Sequence, residues 1–400
     1  MPHKSPFQID IPACNLLDYL FPSGEEPSEE PIWLDAENPE RSLSPKQLLQ
    51  WVKRLGSGLQ NLGLEPGDVV MVYSTNHIFV PVAYCETVYQ IENTGAKVIL
   101  VEPSLLSTVL SAATKTKFPL SRIYLFSDTP CPPTQSLHDW RTLLGPPTST
   151  WHWPPLTPTA SRTTTAVLNY SSGTTGLPKG VLITHANIIA NVTQSLHMRD
   201  LAQPYTPSTR PRETWLGFLP LYHAYGQLWT ISAAAKTLSR TYLMRSFSYA
   251  AFLRLVQRHR VTHVQTAPPL LVLLAKRPET TRFDLRSLRG VLCGAAPLSA
   301  RLQDEVAARL GVVVVQTDHE ELPRAYIVLK DHARNSHISE EDIVAWTASR
   351  VAKHKRLLGG VMFIDEVPKS PSGKIQRKIM REWAKRDAET LKSKTVNAKL

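Results

Sequence analysis

The segment Tyr170-Ser-Ser-Gly-Thr-Thr-Gly-Leu-Pro-Lys-Gly-Val181 gathers three glycines, four Ser and Thr hydroxyls and one lysine. Glycines leave backbone N–H groups open to close approach, and the hydroxyls add further donors. That is the equipment needed to hold a polyphosphate. Lys179 supplies a cation. The spacing is not that of a Walker A loop, because Lys179 is followed by Gly180 rather than Ser or Thr. A plain Gly/Ser/Thr surface turn is the bland alternative, and the length of the pattern weighs against it. The apolar run Ala166–Leu168 stands before the loop and His185-Ala-Asn-Ile-Ile opens a helix after it.

This pattern resembles the phosphate-binding signature of the adenylate-forming superfamily, which includes acyl-CoA synthetases, 4-coumarate:CoA ligases, luciferases and peptide-synthetase adenylation domains. The resemblance implies nucleotide contacts at Ser171, Ser172, Gly173, Thr174, Thr175, Gly176 and Lys179. Further segments keep the family's order. Leu219-Pro-Leu-Tyr-His-Ala-Tyr-Gly226 is similar to its aromatic motif, which implies His223 and Tyr225 at the acyl region and makes His223 a catalytic candidate. Cys293-Gly-Ala-Ala-Pro297 resembles the adenine-binding turn, with Gly294 and Ala295 as the close-approach residues. Gln316 ends the run Val312–Val315, where the family places a polar residue at the nucleotide; an ordinary strand-end glutamine is the other reading.

Pro368-Lys-Ser-Pro-Ser-Gly-Lys374-Ile-Gln-Arg377 is similar to the family's catalytic-lysine loop and maps that lysine to Lys374. When a carboxylate attacks the α-phosphate, two anions meet, and a positioned ammonium offsets their repulsion. The resemblance therefore implies an acid–thiol ligase that uses ATP, coenzyme A and Mg²⁺. The alternative is a shortened, non-catalytic nucleotide-binding remnant.

Two departures bear on that choice. After Val80-Pro-Val-Ala-Tyr84 the family continues into a longer helix and loop, whereas here Cys85-Glu-Thr-Val88 runs straight into Tyr89-Gln-Ile-Glu-Asn-Thr-Gly95. After Gln316 the family's Tyr-Gly-x-Thr-Glu motif, ribose-binding Asp and hinge are replaced by Thr317-Asp-His-Glu-Glu-Leu-Pro-Arg324. Asp318 is therefore not read as the ribose ligand.

The elements that must position these residues alternate. Ser44 caps an amphipathic helix reaching Leu62, Val69–Tyr73 and Lys97–Val101 are strands, and the alternation implies a largely parallel sheet. Cys131 to Pro158 is rich in Pro, Ser and Thr and reads as a surface connection. Beyond Thr317 a small α+β pattern follows: a strand at Arg324–Lys330, a helix capped by Ser339 and running to about Lys355, a strand at Val361–Asp365 and a basic helix from Ile375. The fold class is α/β, with a large N-terminal adenylate-forming domain (1–317) of mixed sheets and helices and a small α+β C-terminal domain (318–400).

At 400 residues, 42% hydrophobic and 20% charged, the composition is that of a globular chain. Four cysteines without metal or CxxC spacing argue for a reducing compartment and against a zinc site or a disulfide framework. No apolar run is long enough to span a bilayer, so a soluble intracellular protein is expected. From Arg350 to Leu400, fourteen Lys and Arg face five Asp and Glu, which carries most of the net +11. This basic tail lacks interleaved aromatics, so a nucleic-acid partner is not expected, while attraction of ATP and coenzyme A is. The closing Ala398-Lys399-Leu400 fits the small–basic–Leu address read by the peroxisomal import receptor.

Overall fold

The computed structural model describes residues 7–83, 94–132, 137–148, 150–171, 179–201, 209–294, 298–316, 324–329, 338–350, 357, 359–368, 379–380, 382–384 and 386–387. The chain divides into two compact units, Met1–Asp318 and His319–Leu400.

In the first unit, helix α1 (Leu16–Leu20) precedes strands β1 (Trp33–Asp35) and β2 (Ser42–Leu43) and helix α2 (Pro45–Asn61). Ser44 closes a full capping box with Gln47, and Pro45 occupies the first turn, where its missing N–H costs nothing. Gly58 is required in α2: a Cβ there would stand 1.4 Å from the Leu143 carbonyl oxygen. Strands β3 (Val70–Tyr73), β4 (Val98–Val101), β5 (Ile123–Leu125) and β6 (His138–Asp139) then form a parallel four-stranded sheet in that order. Its faces are written in the alternation of the strands. Ile99 and Val101 pack under helix α3 (Leu106–Thr116) against Val109 and Ala113, while Val98 and Leu100 face Leu48 and Leu55 of α2.

The stretch from Cys131 to Pro158 is more than a surface connection. It contributes edge strand β6 and buries Trp140 completely, with Leu143 and Trp153 nearly so. Three indole and isobutyl side chains bury enough apolar area to fix a segment whose prolines otherwise read as loop.

After helix α4 (Pro158–Thr163) come hairpin strands β7 (Thr165–Ser171) and β8 (Lys179–Thr184), which pair only with each other, and helix α5 (His185–Leu201). Strand β9 (Thr214–Gly217) leads into helix α6, built of an α-turn (Ala224–Gly226), a π-helical stretch (Gln227–Ala233) and a closing α-turn (Ala234–Thr237). Strand β10 (Arg240–Leu243), helix α7 (Tyr249–Arg258), strand β11 (His263–Thr266), helix α8 (Pro268–Lys276), strand β12 (Gly290–Cys293), helix α9 (Ala300–Leu310) and strand β13 (Val313–Gln316) complete the unit. The second sheet runs β13-β12-β11-β9-β10-β1-β2, parallel except for β2. Strand β10 lies on one side of β9 while β11, β12 and β13 lie on the other. The strand order thus reverses at β9.

In the second unit, β14 (Ala325–Ile327) pairs in parallel with β15 (Val361–Phe363), and helix α10 (Glu340–Ala348) packs beside them. The Ser339–Asp342 capping box is present. Helix α10 stops well before Lys355: Ser349 caps it, and the Ser349 hydroxyl turns back to the Trp346 carbonyl at 2.9 Å, competing with further helix. Asp387 accepts hydrogen bonds from Arg324 and from the Tyr326 hydroxyl (2.7 Å). Of the basic helix from Ile375, the described residues 379–380, 382–384 and 386–387 are helical.

Candidate functional site

The hairpin β7–β8 shifts register between Thr165 and Val167 and then pairs regularly from Val167↔Ile183 to Ser171↔Lys179, so its two strands bring the ends of the glycine-rich loop side by side. Lys179 is exposed at the start of β8. The loop itself, with Ser172, Gly173, Thr174, Thr175 and Gly176, lies outside the described residues. Behind the hairpin, Thr184 and Asn187 exchange side-chain-to-backbone bonds that cap α5. The half-buried His185 ring accepts the Leu16 N–H at 3.0 Å, and partial burial pushes its pKa below the ordinary imidazole value.

The segment 219–226 turns tightly. The His223 N–H donates to the Pro220 carbonyl at 3.0 Å, and a Cβ on Gly226 would stand 2.4 Å from that same oxygen. The motif's final glycine is therefore a packing requirement. His223 is exposed and caps α6, its Nδ1 accepting the Tyr225 N–H at 3.2 Å. The Tyr225 hydroxyl donates to the Leu292 carbonyl of β12 at 3.2 Å. Asn169 of the hairpin and Gln227 of α6 exchange amide hydrogen bonds at 2.9 and 3.1 Å. The π-helical stretch that follows turns Trp229 into the interior, edge-on to Trp215 with centroids 6.1 Å apart.

Gly294 is buried just beyond β12, and its N–H donates to the Thr266 carbonyl at 2.9 Å. Its neighbour Ala295 lies outside the described residues. Gln316 stands opposite Cys293 in the register of β12 and β13. The Gln316 Nε2 is buried and has no hydrogen-bond partner among the described residues. The Asn169–Gln227 pair, the Tyr225–Leu292 bond and the β12–β13 register join hairpin, α6 and strand ends into one cluster. Lys374 and the tail Ala398-Lys399-Leu400 lie outside the described residues.

Sequence reasoning missed a crevice of about 380 Å³ outside the carboxyl ends of β3, β9, β10 and β11. This is the switch point of the second sheet, where parallel strands leave a gap between diverging connections. Phe218, Phe247 and Leu270 give it apolar walls, and Thr75, Asn76 and Arg245 a polar end. Behind that end, Arg245 pairs with the almost fully buried Asp128 and faces Asp35 at 3.7 Å and Glu102 at 3.9 Å. Burial alone would raise the Asp128 pKa; the Arg245 hydrogen bond and charge, helped by Arg41, hold it below the usual carboxylate range. His77, buried behind Asn76, is pushed down to about 4 by burial. The signal available in the sequence was positional: each crevice residue lies within a few places of a strand's end.

A family model for AMP-binding enzymes matches residues 86–317, and one for the AMP-binding enzyme C-terminal domain matches residues 299–374. The chain belongs to the AMP-binding enzyme family. A phenylacetyl-CoA ligase of Aspergillus niger is 30% identical over 319 residues, covering 74% of this chain and 57% of that protein. 4-Coumarate–CoA ligase 3 of Arabidopsis thaliana is 32% identical over 279 residues, covering 64% of this chain and 47% of that protein. The structure of the luciferase-like enzyme from the nonluminescent Zophobas morio mealworm shares the fold, with a TM-score of 0.64 at 20% identity over 79% of this chain and 74% of that one. This AMP-binding enzyme thus spans about half the length of the curated relatives it matches.

Proposed function

We propose that the chain is an ATP-dependent acid–thiol ligase. A carboxylate oxygen attacks the α-phosphorus of ATP, the new oxygen–phosphorus bond forms, and the bond to the pyrophosphate oxygen breaks. The thiolate of coenzyme A then attacks the acyl carbonyl and AMP leaves. The observation that carries this reading is the orphaned Gln316 amide beside Gly294. A buried donor without a partner calls for an acceptor, and the adenine or ribose of a nucleotide offers one.

In this reading Ser171, Lys179 and the loop between them hold the phosphates, and Lys374 of the smaller unit offsets the charge gathering on the reacting phosphorus. His223 and Tyr225 border the acyl group. The switch-point crevice, apolar along its walls and polar at its end, suits the extended arm of coenzyme A. The kinship with a phenylacetyl-CoA ligase and a 4-coumarate–CoA ligase supports an aryl acid as substrate. Magnesium enters as the counter-ion of ATP. Among the described residues no three His, Cys, Asp or Glu side chains form a metal site.

A second reading, a nucleotide-binding remnant without turnover, is favoured by the chain's length relative to its relatives and by the bare valines of β13, Val313 at 63% and Val315 at 45% exposure. Equilibrium ATP binding beside a pyrophosphate-release assay with phenylacetate and 4-coumarate separates the two. Acid-dependent pyrophosphate release supports the ligase. ATP binding without it supports the remnant, and absence of nucleotide binding refutes both.

A further inference from the structure

Asn76 stands in the loop that follows β3, and it is buried. A loop asparagine commonly bonds backbone groups within a few residues of itself. This one reaches 143 and 145 positions along the chain, from the end of the first sheet to the segment that leaves β9 of the second. Its Nδ2 donates to the Leu219 carbonyl at 3.0 Å, and its Oδ1 accepts the Leu221 N–H at 3.0 Å. A carbonyl can only accept and an N–H can only donate, so the amide has one possible orientation. Neither Leu219 nor Leu221 lies in a strand or a helix, so no ladder fixes the backbone that Asn76 holds.

The residue between the two bonds is Pro220, whose carbonyl takes the His223 N–H and lies against Gly226. The two amide bonds therefore hold the very turn that carries His223 into the cap of α6. Asn76, Leu219 and Pro220 all line the switch-point crevice, so this clamp is the seam between the crevice and the aromatic motif. The loop that carries Asn76 is itself anchored on both sides. Before it, the Thr75 N–H and hydroxyl donate to one Glu102 carboxylate oxygen at 2.7 and 2.5 Å, and Glu102 faces Arg245. After it, the His77 carbonyl accepts the Val80 N–H at 3.0 Å. A side chain held this firmly can fix the place of what it grips. Removing the amide would leave a carbonyl and a buried N–H without their partner, which favours a shift of the turn toward other partners.

We propose that Asn76 is a positioning residue: its amide sets the place of the 219–226 turn, and through that turn the place of His223 and Tyr225. The catalytic consequence rests on the ligase reading; the clamp itself does not. Asn76→Ala removes both bonds. Asn76→Asp, of equal size, keeps an acceptor for the Leu221 N–H and loses the donor to Leu219, and it carries the test should Asn76→Ala fail to fold. In hydrogen exchange read by mass spectrometry on the full chain, peptides across 219–226 should exchange about tenfold faster in Asn76→Ala, and by a smaller factor in Asn76→Asp, with peptides across β10 unchanged. In pyrophosphate release with phenylacetate, the KM for the acid should rise about tenfold or more and kcat should fall, while the KM for ATP stays at the wild-type value. A merely structural role would shrink the folded fraction, lowering kcat and leaving both KM values alone. That kinetic result, or wild-type exchange across 219–226 in a folded variant, overturns the proposal. A wild type that releases no pyrophosphate removes the ligase reading by itself, and the exchange rates then decide alone whether Asn76 holds the turn.

Discussion

Replacing Gln316 by leucine should act in opposite directions on the free protein and on its nucleotide complex. In the free protein the buried Nε2 has no partner among the described residues, and an unsatisfied buried polar group costs about 1–3 kcal/mol. Leucine of similar volume removes that donor, so the free variant should be as stable as the wild type or more so by up to about 2 kcal/mol, less whatever the amide oxygen loses. For a unit as large as Met1–Asp318 this is a rise of no more than about 4–8 °C, at ~2–4 °C per kcal/mol. In the complex, a net hydrogen bond worth about 0.5–1.5 kcal/mol disappears, which weakens AMP or ATP by roughly two- to tenfold. At saturating nucleotide a tenfold weaker complex forfeits about 1.4 kcal/mol of ligand stabilisation. Thermal melts of both proteins across an AMP titration measure the two effects together. A variant that melts lower without nucleotide, and gains as much from AMP as the wild type, would show that the amide serves the fold and not a ligand.

Three further outcomes follow from other parts of the molecule. His77 sits at about 4 in the fold against ~6.5 when unfolded. The native state therefore binds fewer protons, and the stability His77 confers is complete above pH ~6.5 and falls as pH drops toward 4, by about 3 kcal/mol at ~1.4 kcal/mol per unit. Urea melts of His77→Asn should be flatter over that window, and an unchanged slope would refute the assignment. Gly226→Ala should cost about 1–3 kcal/mol by forcing its Cβ away from the Pro220 oxygen, and acid-dependent turnover should drop with the displaced His223 and Tyr225; an alanine variant with wild-type melting temperature contradicts the close approach. Lys374→Ala should lower pyrophosphate release by about 10²-fold or more, and a variant with the full rate removes the lysine from the chemistry.

Much of the frame was legible because it rests on local rules. Ser44, Pro45 and the spacing of Leu48 and Leu55 specify α2 by capping and periodicity, and Val98–Val101 is a four-residue apolar run that can only be buried on both faces. The hidden parts depend on residues that meet only in the fold. Arg245 is 117 positions from Asp128 in the chain, yet they form the charged floor of the switch-point crevice. No local pattern announces such a pair. Trp140 was lost in a proline-rich context because composition over thirty or so residues says nothing about one indole that finds a core. The π-helical stretch after Gly226 was equally silent, since Gln227–Ala233 reads as ordinary amphipathic helix and only the packed position of Trp229 distinguishes it.

Strand β13 shows why the nucleotide reading attaches to one residue and not to its neighbours. Four consecutive valines, Val312–Val315, describe a strand covered on both faces, but β13 is the edge of its sheet and only Val314 of its valines is buried. Strand alternation puts Gln316 on the Val314 side, away from the bare face of Val313 and Val315. The orphaned amide is therefore turned toward the covered side of the sheet, at the end where Gly294 and the Thr266 carbonyl meet. A ligand that merely coated exposed valines would leave that donor unsatisfied, whereas one seated at the strand ends would satisfy it and displace nothing. The unpaired amide and the exposed valines thus call for different partners, and the proposed ligase reading gives the nucleotide the first.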